Sequence, residues 1–142
     1  MKLLAIDYGS KHIGIAISSK KGTIAFPHSV IENNSRLFKI LLTLIQEEGI
    51  DKVIVGAPEY NKNTAFYQSV EKFIPKLAQT LTIPVESFDE LLTSETARKS
   101  EAARRVSKHA GVPPPRRQQK NRHDLAAVLI LESYITRTHS SL

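Results

Sequence analysis

The run Lys52-Val53-Ile54-Val55-Gly56 is short, apolar and unbroken, and it restricts the possible folds more than any other feature of the chain. A strand of this kind has no polar face to turn to water, so it must be covered on both sides, as strands of parallel and mixed sheets are. The segments before it read differently. Lys2 to Ile6 and Gly14 to Ser18 are short apolar runs on either side of the turn-like Tyr8-Gly9-Ser10-Lys11. Gly22 marks a second turn before Thr23 to Ile31, where Pro27 suits an edge strand because it has no N–H for a ladder. These three segments predict an antiparallel meander.

Helical spacing then alternates with strand-like runs. Asn34-Ser35 offers a cap for a helix through about Glu48, with Leu37, Ile40, Leu41, Leu44 and Ile45 at helical intervals and Gly49 as its stop. A second helix is expected from about Thr64 to Thr80, with Phe66, Val70, Phe73, Ile74 and Leu77 along one side, and a strand from Ile83 to Phe88. A basic helix from about Ser94 to Lys108 ends at Gly111-Val112-Pro113-Pro114-Pro115. A polar basic loop continues to Arg122 and projects from the domain, and a last helix runs from His123 to Arg137 with Leu125, Val128, Leu129 and Leu131 apolar. A meander followed by βα units implies an α/β fold. Its mixed sheet has five strands, antiparallel in the first three and parallel in the later units, with helices on both faces. Residues 1–137 form one domain on this reading, and 138–142 are a disordered tail.

At 142 residues there is room for one core of ordinary size. No stretch approaches the roughly 18 apolar residues of a membrane span, and Asp7 interrupts the apolar start before it can serve as a signal peptide. The chain has no cysteine, which fits a reducing cytoplasm and excludes disulfides and thiolate metal sites. The net charge of +6 is unevenly placed: Arg98 to Arg122 holds nine Lys and Arg against Glu101 alone, leaving the remainder slightly acidic. A patch of that density is the footprint expected of phosphate-backbone binding, although a solvated helix and loop would carry similar charge.

Three acids invite a chemical reading. Asp7 ends an apolar strand and is followed by Gly9 and Gly14; it is either a turn acceptor or a carboxylate kept for a cation. Asp89-Glu90 follows a strand at the carboxyl end, where open α/β sheets place their sites, or else merely begins a helix. Asp124 lies in the first turn of the expected last helix, where an acid also complements the helix dipole. The small residues Ala126 and Ala127 would let that helix approach the sheet and bring Asp124 towards Asp7. Converging carboxylates repel one another, and bound divalent cations relieve the repulsion. Hard oxygen donors without Cys select Mg²⁺ or Mn²⁺, and two such ions stabilise the attacking and leaving oxygens of phosphodiester hydrolysis.

At these residues the chain resembles the YqgF-type family, described as candidate Holliday junction resolvases and pre-16S ribosomal RNA nucleases. Asp7-Tyr8-Gly9-Ser10-Lys11 with Gly14-Ile15-Ala16 is similar to its opening motif, and Val55-Gly56-Ala57-Pro58 to its second. Asp89-Glu90-Leu91-Leu92-Thr93-Ser94 is similar to its third, and Asp124-Leu125-Ala126-Ala127 with Leu129-Ile130-Leu131 to its fourth. The four occur in family order from Lys2 to about Tyr134. The resemblance implies a ribonuclease H-like fold and a Mg²⁺-dependent endonuclease, with Asp7, Glu90 and Asp124 as catalytic metal ligands. Lys11, Arg116, Arg117, Lys120 and Arg122 would hold nucleic acid. The implied substrate is structured RNA, the 16S rRNA precursor; a DNA junction and a non-enzymatic nucleic-acid-binding factor are the alternatives. Leu91 stands where the family's third motif usually has arginine, and Ala57 and Asn63 depart from its second.

Overall fold

Side-chain alternation along the first strand decides how the layers are built. In the computed structural model, which describes residues 1–57, 64–89 and 116–140 (57, 89, 116–122 and 140 by backbone alone), β1 is Leu3–Asp7. Leu4 and Ile6 point to one face of the sheet, Leu3 and Ala5 to the other, and all four are buried. β1 pairs antiparallel with β2, His12–Ser18, which pairs antiparallel with β3, Ala25–Glu32. On its other side β1 pairs parallel with β4, Lys52–Ala57, which pairs parallel with β5, Val85–Asp89. The order across the sheet is β3-β2-β1-β4-β5, as the meander and the βα units predict. Pro27 lies on the edge strand, next to a register irregularity between Ile15 and Ala16.

Val53, Ile54 and Val55 are fully buried, which the unbroken apolar run requires. α1 (Leu37–Glu48) and α2 (Ala65–Thr80) supply Leu37, Leu41, Leu44, Phe73 and Leu77 to one face, over Leu4, Ile6, Ile13, Ile15, Val53 and Val55. Thr64 caps α2 by accepting a hydrogen bond from the Tyr67 amide at 3.2 Å. α1 is capped by Arg36 rather than by Asn34 or Ser35; the Asn34 side chain acts earlier, accepting from the Arg36 amide at 2.9 Å in an Asx turn. Gly49 ends α1 in the left-handed region, at φ 63°.

The opposite face is covered by α3, Arg116–Ser140, and here the structure corrects the expectation from sequence. The helix starts seven residues before His123, so Arg116 to Arg122 is helix and not a projecting loop, and it runs past Arg137 to Ser140. Arg, Gln and Lys are good helix formers, and a proline run directly before them does not prevent a helix from starting. The buried stripe is Ala127, Ile130, Leu131, Tyr134 and Ile135, at intervals of three and one, whereas Leu125 is 55% exposed. The expected basic helix between Ser94 and Lys108 lies outside the described residues.

One polar network fixes α3 along the sheet. Lys52 Nζ donates to Tyr134 Oη at 2.8 Å, Tyr134 Oη donates to Glu86 Oε2 at 3.0 Å, and Lys52 also pairs directly with Glu86. The hydrogen bond from Lys52 lowers the Glu86 pKa, against a smaller upward push from burial, and the same bond raises that of Lys52. A depressed carboxylate stabilises the fold above its unfolded pKa and loses that contribution as pH falls through the folded value. Lys52, being raised, loses its contribution only as pH rises through its own folded value, in the alkaline range. Tyr134→Phe is therefore expected to cost about 1 kcal/mol in urea unfolding at neutral pH, the net worth of a typical intramolecular hydrogen bond. In Glu86→Gln the acid-side decline of stability should flatten; an unchanged decline would show that the network contributes nothing.

Candidate active site

Two glycines make room around Asp7. It ends β1, and its partners in register are Gly14 on β2 and Gly56 on β4. Residues directly opposite one another project from the same face, so on either side of Asp7 a side chain is missing where one would crowd the carboxylate. Alternation puts Asp7 on the face that α3 covers, with Leu3 and Ala5. The turn beyond it is tight: a Cβ on Gly9 would lie 2.2 Å from the His12 carbonyl oxygen. Asn33 holds this turn in place, its Nδ2 donating to the Gly9 carbonyl and its amide to the Lys11 carbonyl, both at 2.9 Å. Lys11 is exposed at the tip.

Gly14 does more than leave space. A Cβ there would stand 1.9 Å from the His123 carbonyl oxygen and 3.0 Å from the Asp124 amide nitrogen, so the α3 backbone rests directly on this glycine. Since Gly14 is also the cross-strand partner of Asp7, the same contact brings His123 and Asp124 to the end of β1. His123 Nδ1 lies 3.4 Å from Asp7 Oδ2, with the two side chains 38% and 17% exposed, and the His12 and His123 rings are 6.0 Å apart. Asp124 is half-buried, and its Oδ1 accepts from the Leu125 amide at 2.9 Å. The longer α3 changes what Asp124 signifies. It stands eight residues into the helix, beyond the first turn within which a dipole rewards an acid, so that explanation of its presence lapses.

β5 ends at Asp89, paired with Ala57 of β4. The three parallel strands therefore close on one edge, and Asp89 lies on the same edge as Asp7. Glu90, Leu91 and the rest of the expected third motif lie outside the described residues. Arg116, Arg117, Lys120 and Arg122 fall in the first two turns of α3, which leads to Asp124. Among the described residues no three His, Asp or Glu side chains gather closely enough to hold a metal. His123 is the site residue that sequence reasoning misses; its position directly before Asp124 is the available signal. A groove of about 960 Å³ between β3 and α1, lined by His28, Glu32, Lys39, Ile40, Thr43 and Glu47 among others, contains none of the expected carboxylates.

A family model described as RuvX, Holliday junction resolvase, matches residues 1–137. The chain belongs to this family. Two relatives named as candidate pre-16S rRNA nucleases agree with that placement. One, from Maridesulfovibrio salexigens, is 33% identical over 96% of this chain and 99% of its own length. The other, from Rickettsia rickettsii, is 34% identical over 94% of this chain and 84% of its own. The fold is also that of T. thermophilus RuvC in complex with a Holliday junction substrate, with a TM-score of 0.68 at 16% identity, over 99% of this chain and 96% of that one. The resemblance found in the four motifs is thus borne out, and with it the ribonuclease H-like fold. A RuvX chain is a nuclease, and no helix of its described residues is long and apolar enough to cross a membrane.

Proposed function

We propose that this chain is a divalent-metal-dependent endonuclease of structured RNA, that its substrate is the 16S rRNA precursor, and that residues 1–137 act as one domain in the cytoplasm. One observation supports the reading: the α3 backbone at His123 and Asp124 sits on Gly14, the cross-strand partner of Asp7, although neither helix capping nor the dipole calls for an acid at position 124. Asp7 and Asp124 offer carboxylate oxygens, the hard donors that suit Mg²⁺ or Mn²⁺, and Glu90, the next residue in sequence after Asp89, is the third carboxylate of this reading. A divalent cation bound by these residues would neutralise charge developing on the scissile phosphate. The protein's own part is to hold the substrate backbone with Lys11, Arg116, Arg117, Lys120 and Arg122, and to keep Asp7 in place between Gly14 and Gly56.

The test is an assay of the parent protein with Mn²⁺ on a 16S precursor transcript beside a four-way DNA junction. Cleavage of the transcript is expected. Cleavage of the junction alone would transfer the substrate to DNA, which the family's description favours as the second reading. Binding without cleavage of either would overturn the nuclease proposal and leave a binding factor. The basic residues are tested separately by changing Arg116, Arg117, Lys120 and Arg122 together to alanine, which keeps helix propensity. Affinity should fall alike for all sequences, and the log–log salt slope should flatten by about 0.7–0.9 for each phosphate no longer neutralised. An unchanged slope would exclude these residues from the binding surface.

A further inference from the structure

The apolar stripe of α2 does not end where the core ends. Val70, Phe73 and Leu77 are buried, while Phe66, one turn before Val70, is 40% exposed. Its ring is nonetheless part of a series. Phe66 lies 6.0 Å from Tyr8 between ring centroids, Tyr8 lies 4.8 Å from Phe73, and Phe73 lies 5.8 Å from Phe38. Tyr8 follows Asp7 directly in the chain and packs, half-buried, against the α1–α2 side of the core. Because β4 runs parallel to β1, α2 begins beyond the carboxyl ends of both strands. Phe66 thus belongs to the edge of the sheet that carries Asp7, on the opposite face from α3.

We propose that Phe66, backed by Tyr8, is a stacking platform for an unpaired nucleobase of the substrate, a binding role distinct from that of the carboxylates. Every base offers a π face, so such a platform takes a splayed base whatever its identity and gives nothing to a fully paired duplex. Tyr8, itself packed on Phe73, backs the ring, and the Thr64 cap fixes the first turn that carries it. The platform therefore selects structure over sequence, favouring RNA with a bulge or loop next to the bond cut. This rests on the nuclease reading, and the experiment separates the two.

The chain has no tryptophan, so Phe66→Trp places a single indole at the platform. With Ca²⁺ present, a hairpin RNA carrying a bulge should quench its fluorescence, and the same hairpin without the bulge should not. Phe66→Ala should weaken binding of the bulged hairpin by about 5- to 150-fold, the range of one missing base stack, and leave the paired hairpin within about twofold. Phe66→Leu keeps the apolar stripe and removes the π face, so it should resemble alanine in binding and the parent in thermal unfolding. If both variants bind the bulged hairpin like the parent, or the indole is not quenched, the platform is refuted while the nuclease reading stands. If the parent binds neither hairpin but cuts a DNA junction, RNA as substrate falls and the platform on RNA with it.

Discussion

Asp7→Asn should lose metal-dependent cleavage without losing stability. Even residues that only support a metal ligand cost 10- to 100-fold when changed, so removing a ligand carboxylate should cost more than about 100-fold. Stability should move the other way. The α3 backbone at Asp124 rests on Gly14, the cross-strand partner of Asp7, and on the proposed reading these two carboxylates repel one another without a cation, so an amide at position 7 removes one of the charges. Its interaction with His123 is long, at 3.4 Å, and half-open to water, so giving it up costs little. The metal-free variant should unfold in urea at or slightly above the parent's midpoint, as is common where a site carries a stability cost. Were Asp7 a turn acceptor, the same change would cost on the order of 1 kcal/mol, as the removal of capping bonds does. A destabilised variant that still cuts would remove Asp7 from the catalytic set.

Much of the fold is legible in local pattern because local pattern causes it. The alternation in Leu3-Leu4-Ala5-Ile6 feeds two cores, and the unbroken Val53-Ile54-Val55 marks the strand between them. Pro27 announces its edge position, and Gly49 its helix end. The start of α3 is hidden for a physical reason: a proline run and dense positive charge look like a loop, while Arg, Gln and Lys propagate a helix once it has started. The buried stripe of α3 is hidden with it, since Leu125 is more apolar than Ala127 but faces away from the sheet. At the site, Asp7 and Asp124 can be found because acids on apolar elements need a reason. Asn33 cannot, since it acts through a contact with a residue far away in the chain, and His123, whose contact with Asp7 is equally remote, is signalled only by standing directly before Asp124. Gly14 is visible as a motif residue, but its role as the seat of α3 exists only in three dimensions.

Gly14→Ala should disable the protein by displacing a helix and not by removing a functional group. The added methyl would meet the His123 carbonyl oxygen at 1.9 Å, where ordinary contact needs over an ångström more. That oxygen belongs to the backbone of a 25-residue helix pinned by Ile130, Leu131 and the Tyr134 network, so it cannot rotate aside. Either α3 lifts from β2 or the end of β1 is forced back. Overpacking of this kind costs about 1–3 kcal/mol, and a clash with main chain points to the upper end, roughly a 10 °C fall in melting temperature. A displacement of about 1 Å between Asp124 and Asp7 is enough to cost about 100-fold in cleavage, so activity should fall even where the variant remains folded. His123→Ala in the same chain should not restore either property, because the atoms that clash are not its side chain. If Gly14→Ala melts with the parent and cleaves at its rate, α3 is not seated on β2, and the convergence of Asp124 on Asp7 is wrong.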